Sequence, residues 1–293
     1  YLVKSGFIGL CALAMVATAG ADSDGDMPEV RIPVMSRAPQ LDGVVGEEEW
    51  KEAARIEGFA GRERSEPMLL APHQAGFWVG ADDKNLYIAV VTATPPGEGP
   101  LARVQPAPEG KNARVNLDDA VEVMISPLEG DGIYRLLLNA KGAISATHEV
   151  SGEKTIWKSG VEVRNGREGD LWALEARIPL ANLGVTRKEL EKGIGLSVGR
   201  IWKRVQNTEA ETRWSGLTTG EGRGLPTVTL DPAAPVVQMK KVTDEKQNVA
   251  IELELFNPHS KPVLSHLTAS LKPMHSAPRA FRESIVLKPN ATK

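Results

Sequence analysis

Between Pro28 and Asp231 the chain repeats one pattern, a short apolar run followed by a turn pair. Trp172, Leu174, Ala176 and Ile178 alternate with Ala173, Glu175 and Arg177. That period of two belongs to a strand buried on one face. Leu86 to Val91 is apolar at every position and predicts a central strand covered on both faces. Ala120 to Ile125, Ile133 to Leu138 and Ile194 to Trp202 read as strands too. Asp82-Asp83, Gly130-Asp131-Gly132, Lys141-Gly142 and Asn165-Gly166 separate them with residues that favour turns. One helical stretch is expected, Gly46 to Ala54, where Trp50, Ala53 and Ala54 share a face; Pro179 to Leu183 suits a single further turn. Many short strands at this spacing predict an all-β fold, an antiparallel β-sandwich with one short N-terminal helix. With 41% hydrophobic residues, the chain has enough apolar side chains for a core.

The first segment does not fit the strand pattern. Lys4 precedes an apolar run from Gly6 to Ala21 that ends in small residues, and Asp22-Ser23-Asp24-Gly25-Asp26 follows. These are the marks of a secretory signal peptide over residues 1–21, and the run is shorter than the ~20 residues of a membrane span. The expected location is therefore secreted, periplasmic or cell-surface, with no membrane-spanning segment once the signal is cleaved. The single Cys, Cys11, lies inside the signal, so the exported part has no disulfide to rely on. Pro232-Ala233-Ala234-Pro235 reads as a linker. The expected domains are a sandwich over 28–231 and a partial second β-sandwich-like domain over 235–293, too short for an immunoglobulin-like unit of ~100 residues. The chain is thus expected to be part of a longer multidomain protein. With 35 Lys+Arg against 38 Asp+Glu and no basic block, nucleic acid is not expected as a partner.

Several motifs invite chemistry. Gly195-Leu196-Ser197-Val198-Gly199 matches a nucleophile elbow, but that motif needs a helix after the turn and here the flanks continue a strand. Gly220-Glu221-Gly222-Arg223-Gly224 lacks the Lys and Ser/Thr of a phosphate loop. The five His residues complete no zinc spacing. Asp118 and Glu122 share a strand face but sit ~13 Å apart along it. A glycosidase dyad needs about 5–5.5 Å or about 6.5–9.5 Å, so these two alone cannot form one. Asp118 and Asp119, at a strand mouth, are either ligands for a structural calcium or solvated turn acids. The six Trp residues are core aromatics or, beside polar side chains, sugar-stacking rings. Trp172 and Trp50 belong to the core on their periodicity, while Trp202 and Trp214 near the Gly-rich loop fit either role.

Taken in order, these segments resemble carbohydrate-binding module family 9. The resemblance rests on Pro39-Gln40-Leu41-Asp42-Gly43, Glu47 to Ala53, Asp82 to Val90, Asp118 to Val123, Leu138 to Gly142, Trp172 to Pro179, Ile194 to Arg200 and Arg213-Trp214-Ser215. It covers roughly residues 30–231. It implies a β-sandwich from secreted polysaccharide-degrading systems that clamps a terminal sugar between two Trp rings, with acidic, Arg and Asn groups on the hydroxyls. Glu122 matches the family's sugar-contacting acid. Asn116 stands where the first clamp Trp belongs, Leu217 to Gly224 hold no aromatic for the second, and Leu137 replaces the family Arg.

The expected function is a secreted, non-catalytic carbohydrate-binding module that anchors a larger protein to a polysaccharide or oligosaccharide. Glu122, Asp118, Asn116 and Arg114 are the expected ligand mouth, with Trp202 and Trp214 beside it. No cofactor is expected beyond the calcium that Asp118 and Asp119 could hold. Two alternatives are an envelope-assembly module that kept the sandwich and lost the sugar clamp, and a module of a glycoside hydrolase.

Overall fold

A computed structural model describes residues 28–61, 69–94, 99–108, 111–206, 209–214, 225–245, 248–271 and 279–293. The signal-like segment and the Gly220–Gly224 loop lie outside them. The first strands are β1 (Glu29–Ile32), β2 (Ala54–Ile56), β3 (Ala60–Gly61), β4 (Leu69–Leu70), β5 (Ala75–Ala81) and β6 (Asn85–Ala93). Then come β7 (Ala120–Pro127), β8 (Ile133–Leu138), β9 (Ile144–Val150), β10 (Glu153–Ile156), β11 (Glu162–Glu168), β12 (Leu171–Pro179) and β13 (Ile194–Ile201). The series ends with β14 (Glu211–Arg213), β15 (Thr227–Leu230), β16 (Val236–Glu245), β17 (Asn248–Phe256), β18 (Val263–Leu271) and β19 (Arg279–Leu287).

Among the described residues these strands form an all-β sandwich. One sheet runs β10-β9-β8-β7-β13-β14-β3-β4, with β15 also on β13 and β1 on β15, ten strands in all. The other runs β11-β12-β6-β5-β2-β16-β17. Alternation decides which side chains meet between the layers. Val121, Val123 and Ile125 of β7 face Leu86, Ile88 and Val90 of β6 across one core, joined by Trp172, Leu174, Ala176 and Ile178 of β12. Ser197 lies on β13, a strand paired with β7 through the whole Gly195–Gly199 stretch, which rules out a nucleophile elbow there. Among the described residues its hydroxyl has no hydrogen-bond partner, and it is 1% exposed.

The outer face of the seven-stranded sheet explains why β6 is apolar on both sides. Its odd residues Tyr87 and Ala89 are covered by Met35, Trp50 and Ala53 of the preceding segment. Trp50 is thus buried as expected, but against the outside of a sheet rather than between the layers. Truncating a ring so buried costs about 3–5 kcal/mol. The helix α1 covers only Glu47–Trp50, shorter than the expected Gly46 to Ala54, because Ala54 already pairs with Val79 as the start of β2. Glu175 ties this roof down: its carboxylate accepts from Trp50 Nε1 (3.0 Å), Asp42 N (2.9 Å) and Gly43 N (2.7 Å). Burial pushes the Glu175 carboxyl above the usual range despite these three donors. Gly43, at φ +93°, touches β11 so closely that a Cβ there would lie 2.6 Å from Asn165 O. A second helix, α2 (Arg187–Leu190), starts at a capping box between Thr186 and Glu189.

Residues after the Pro232–Pro235 turn extend the existing sheet. β16 runs parallel to β2 at Gln238↔Arg55, and β17 pairs with β16. The β18–β19 hairpin covers their inner face, placing Leu267, Ile285 and Leu287 against Val237, Leu253 and Leu255 in a small separate core.

Candidate functional site

The acids singled out in the sequence are buried and already occupied. Glu122, on the outer face of the ten-stranded sheet, is 0% exposed. Its two carboxylate oxygens take hydrogen-bonded ion pairs from Arg135 and Arg213, and Arg213 also reaches Glu211. Register explains the cluster. Glu122 is opposite Gly199, which is opposite Arg213, and Gly199 leaves the space across which the Arg213 chain lies: a Cβ would sit 2.9 Å from Arg213 Cγ. On the other side Leu137 faces Glu122, and the guanidinium comes instead from Arg135, two residues along the same face. Glu122 therefore holds two strands to β7 and presents no free oxygen to a sugar hydroxyl.

Asp118 and Asp119 are likewise 0% exposed. Asp118 accepts from Arg103 N (3.0 Å), Val104 N (2.8 Å) and Asn139 Nδ2 (2.8 Å). Burial pushes its carboxyl up, but those donors outweigh it and hold it below the ordinary Asp range. Asp119 accepts from Leu101 N (2.7 Å) and Lys203 N (2.6 Å). Both carboxylates pin the 101–104 segment onto the sheet, and N–H groups aim at the oxygens a calcium ion would need. Among the described residues no group of three or more His, Cys, Asp or Glu is placed to hold a metal.

Arg114 and Asn116 are exposed on a turn around Val115–Leu117, so they do not share an open mouth with Glu122. Trp202 and Trp214 are 4% and 5% exposed and belong to the main core. Trp202 packs against Trp172 with ring centroids 6.1 Å apart, and Trp214 against Phe77 at 5.2 Å. Neither ring is offered to a ligand, and their proximity to a Gly-rich loop in sequence was no guide to exposure.

An open concave surface lies on the opposite layer. A trough of about 830 Å³ crosses the outer face of the seven-stranded sheet, between the 42–51 roof and β16–β17. Its floor carries Trp78, Val91, Ala173 and Leu171, each reachable by solvent. Trp78 stands half-buried at the middle, with the Arg55 guanidinium 5.1 Å from its ring centroid. Arg55 is itself fixed by Glu57 (2.5 Å) and by the Met239 carbonyl. One wall holds Glu47, Glu48 and Lys51, the other Gln238, Lys240 and Glu254. An indole face with hydrogen-bonding side chains on both sides suits a ligand with an apolar face and polar edges. The signal for Trp78 was present: in Gly76-Phe77-Trp78-Val79-Gly80, Phe77 and Val79 point inward, so period two turns Trp78 outward between two glycines.

No family model and no curated protein matches the sequence. Among solved structures, a proposed carbohydrate-binding protein from Bacteroides uniformis matches at a TM-score of 0.50 and 13% identity, over 69% of this chain and 99% of that one. A family 9 carbohydrate-binding module from Caldicellulosiruptor kristjanssonii matches in its cellotriose complex at a TM-score of 0.45 and 16% identity, over 69% and 94%. Its glucose complex gives 0.43 at 16% identity, over 69% and 95%. At such identities the likeness is one of fold, and the chain folds as a sandwich like that of the Bacteroides uniformis protein.

Proposed function

We propose that this chain is an exported carbohydrate-binding module that anchors a larger protein to a polysaccharide through the trough, with Trp78 as its stacking ring. One observation carries the reading: an aromatic ring stands on the floor of an open groove whose walls are polar. The signal-like residues 1–21 and the fold shared with a proposed carbohydrate-binding protein support it. The chain's role is binding rather than bond cleavage. Asp118, Asp119 and Glu122, the acids singled out in the sequence, are engaged inside the protein.

The test is affinity electrophoresis and calorimetry of the full chain against soluble neutral polysaccharides, with Trp78→Ala alongside. Binding that weakens in the variant supports the proposal. A folded protein that binds no glycan overturns it and leaves the envelope-assembly reading, which the clamped Glu122 already favours over a family-type sugar-end site.

A further inference from the structure

Every strand of the seven-stranded sheet contributes an outward residue to the trough. The line can be followed through the register. Gly166 of β11 is opposite Ala173 of β12, and Ala173 is opposite Val91 of β6. Val91 is opposite Gly76 of β5, whose neighbour on the same face is Trp78. Trp78 is opposite Arg55 of β2, Arg55 opposite Gln238 of β16, and Gln238 opposite Glu254 of β17. With neighbouring strands about 4.8 Å apart, six steps give a binding line of roughly 29 Å. Gly166, Ala173 and Gly76 keep one half of the line small, with Gly43 of the roof against its Gly166 end, and Trp78 lies near its centre, partly packed against the Met35 and Trp50 cluster.

The charge along the line is balanced. Asp42, Glu47, Glu48, Glu168 and Glu254 stand against Lys51, Arg55, Arg167 and Lys240, five acids to four bases. Three of the four bases already have carboxylate partners: Lys51 with Glu48 at 2.9 Å, Arg55 with Glu57 at 2.5 Å and Lys240 with Glu254 at 3.3 Å. Such a surface has no net positive field to hold a polyanion. Its paired side chains still have donors and acceptors for hydroxyl groups.

Resting on the glycan reading above, we infer that the trough binds an extended interior stretch of a neutral polysaccharide, laid across the strands, and not a chain end. A pocket closed around one terminal ring would gain nothing from a longer ligand. A line crossing seven strands gains contacts with each added sugar until it is filled.

The experiment is calorimetry of the full chain with a neutral β-glucan, its oligosaccharides from disaccharide to hexasaccharide, and the hexasaccharide reduced to its alditol. Polygalacturonate serves as the anionic probe. Affinity should rise at least tenfold along the series, stay unchanged on end reduction, show little salt dependence, and be absent for polygalacturonate. Ala173→Trp, which fills the low half of the line far from Trp78, should cut hexasaccharide affinity about tenfold and leave the disaccharide unaffected. Where Ala173→Trp fails to fold, Gln238→Ala reads the other half of the line by the same comparison. Equal affinity for disaccharide and hexasaccharide, or loss of binding on end reduction, overturns the inference while leaving glycan binding intact. Tight, salt-sensitive polygalacturonate binding overturns the neutral class. No binding to any neutral glycan, from this panel or a wider one, overturns both readings together.

Discussion

Glu122→Gln isolates the internal role of the acid that the sequence offered as a sugar contact. The side chain is 0% exposed and Arg213 is 3% exposed, so their pairing is screened little by water. Gln at this position keeps the shape and removes the charge. Among the described residues Arg213 then retains only Glu211, which is 42% exposed, and its Nε has no partner there. Removing one member of a buried ion pair costs about 3–5 kcal/mol, because the remaining charge is left uncompensated. At roughly 2–4 °C per kcal/mol for a domain of this size, Tm should fall by about 6–20 °C. Differential scanning calorimetry of the wild type and the variant reads this directly. A companion, Glu122→Leu with Arg213→Met, removes both fully buried charges, leaves the part-exposed Arg135 to water, and should recover at least half of the loss. Glycan affinity measured well below both transitions should be unchanged. A Tm within a degree or two of wild type, combined with lost glycan binding, would refute the reasoning and return Glu122 to the ligand.

Asp118→Asn should destabilise the fold at neutral pH by about 1–3 kcal/mol, the range for a weakened buried hydrogen-bond network. Because donors hold the folded Asp118 carboxyl below the ordinary value, its contribution is full above about pH 3.9 and is lost as pH falls through the folded pKa. Urea midpoints for the two proteins should therefore differ at neutral pH and converge in acid. Gly43→Ala places a methyl 2.6 Å from Asn165 O at a positive φ, so it should lift the roof at a cost of about 1–3 kcal/mol, seen as a lower Tm and altered Trp50 fluorescence. Chelator and added calcium should both leave Tm unchanged, since the Asp118 and Asp119 oxygens already face N–H donors. A rise of several degrees with calcium would contradict that assignment.

The strands were legible because a half-buried strand has only one free parameter, its period. The apolar alternation of Trp172 to Ile178 places β12, and the unbroken apolar run of β6 calls for cover on both faces, the second being the 35–53 roof. Exposure of single side chains was less legible. Asp118, Asp119 and Glu122 sit in turn-rich or polar contexts that read as surface, yet each is drawn inside by partners distant in sequence: Arg103 and Val104, Lys203, and Arg213. No local pattern encodes those distances. Trp202 and Trp214 turn inward for a related reason, since nearness to a loop in sequence says nothing about which face a ring occupies. Trp78 and the α2 helix are different cases. The Gly-x-Trp-x-Gly alternation and the Thr186-x-x-Glu189 capping box are both local patterns, legible in the sequence itself. The joining of β16 to β2 could not be read at all, because parallel pairing across the Pro232–Pro235 turn depends on which edge the first sandwich leaves open.

The central claim is that a ring on the outer face of the seven-stranded sheet carries the binding. Calorimetric titration of a neutral polysaccharide into wild type and Trp78→Ala tests it most directly, with Tm recorded for both. A central aromatic anchor is worth about 2 kcal/mol or more, so the variant should bind roughly 30-fold more weakly. Its Tm should fall only modestly, since the partly buried ring loses its packing against the Met35 and Trp50 cluster together with a cation–π contact worth about 0.5–1 kcal/mol, and the variant should stay folded. Equal affinity in a folded Trp78→Ala variant would contradict the account and move the site away from the trough.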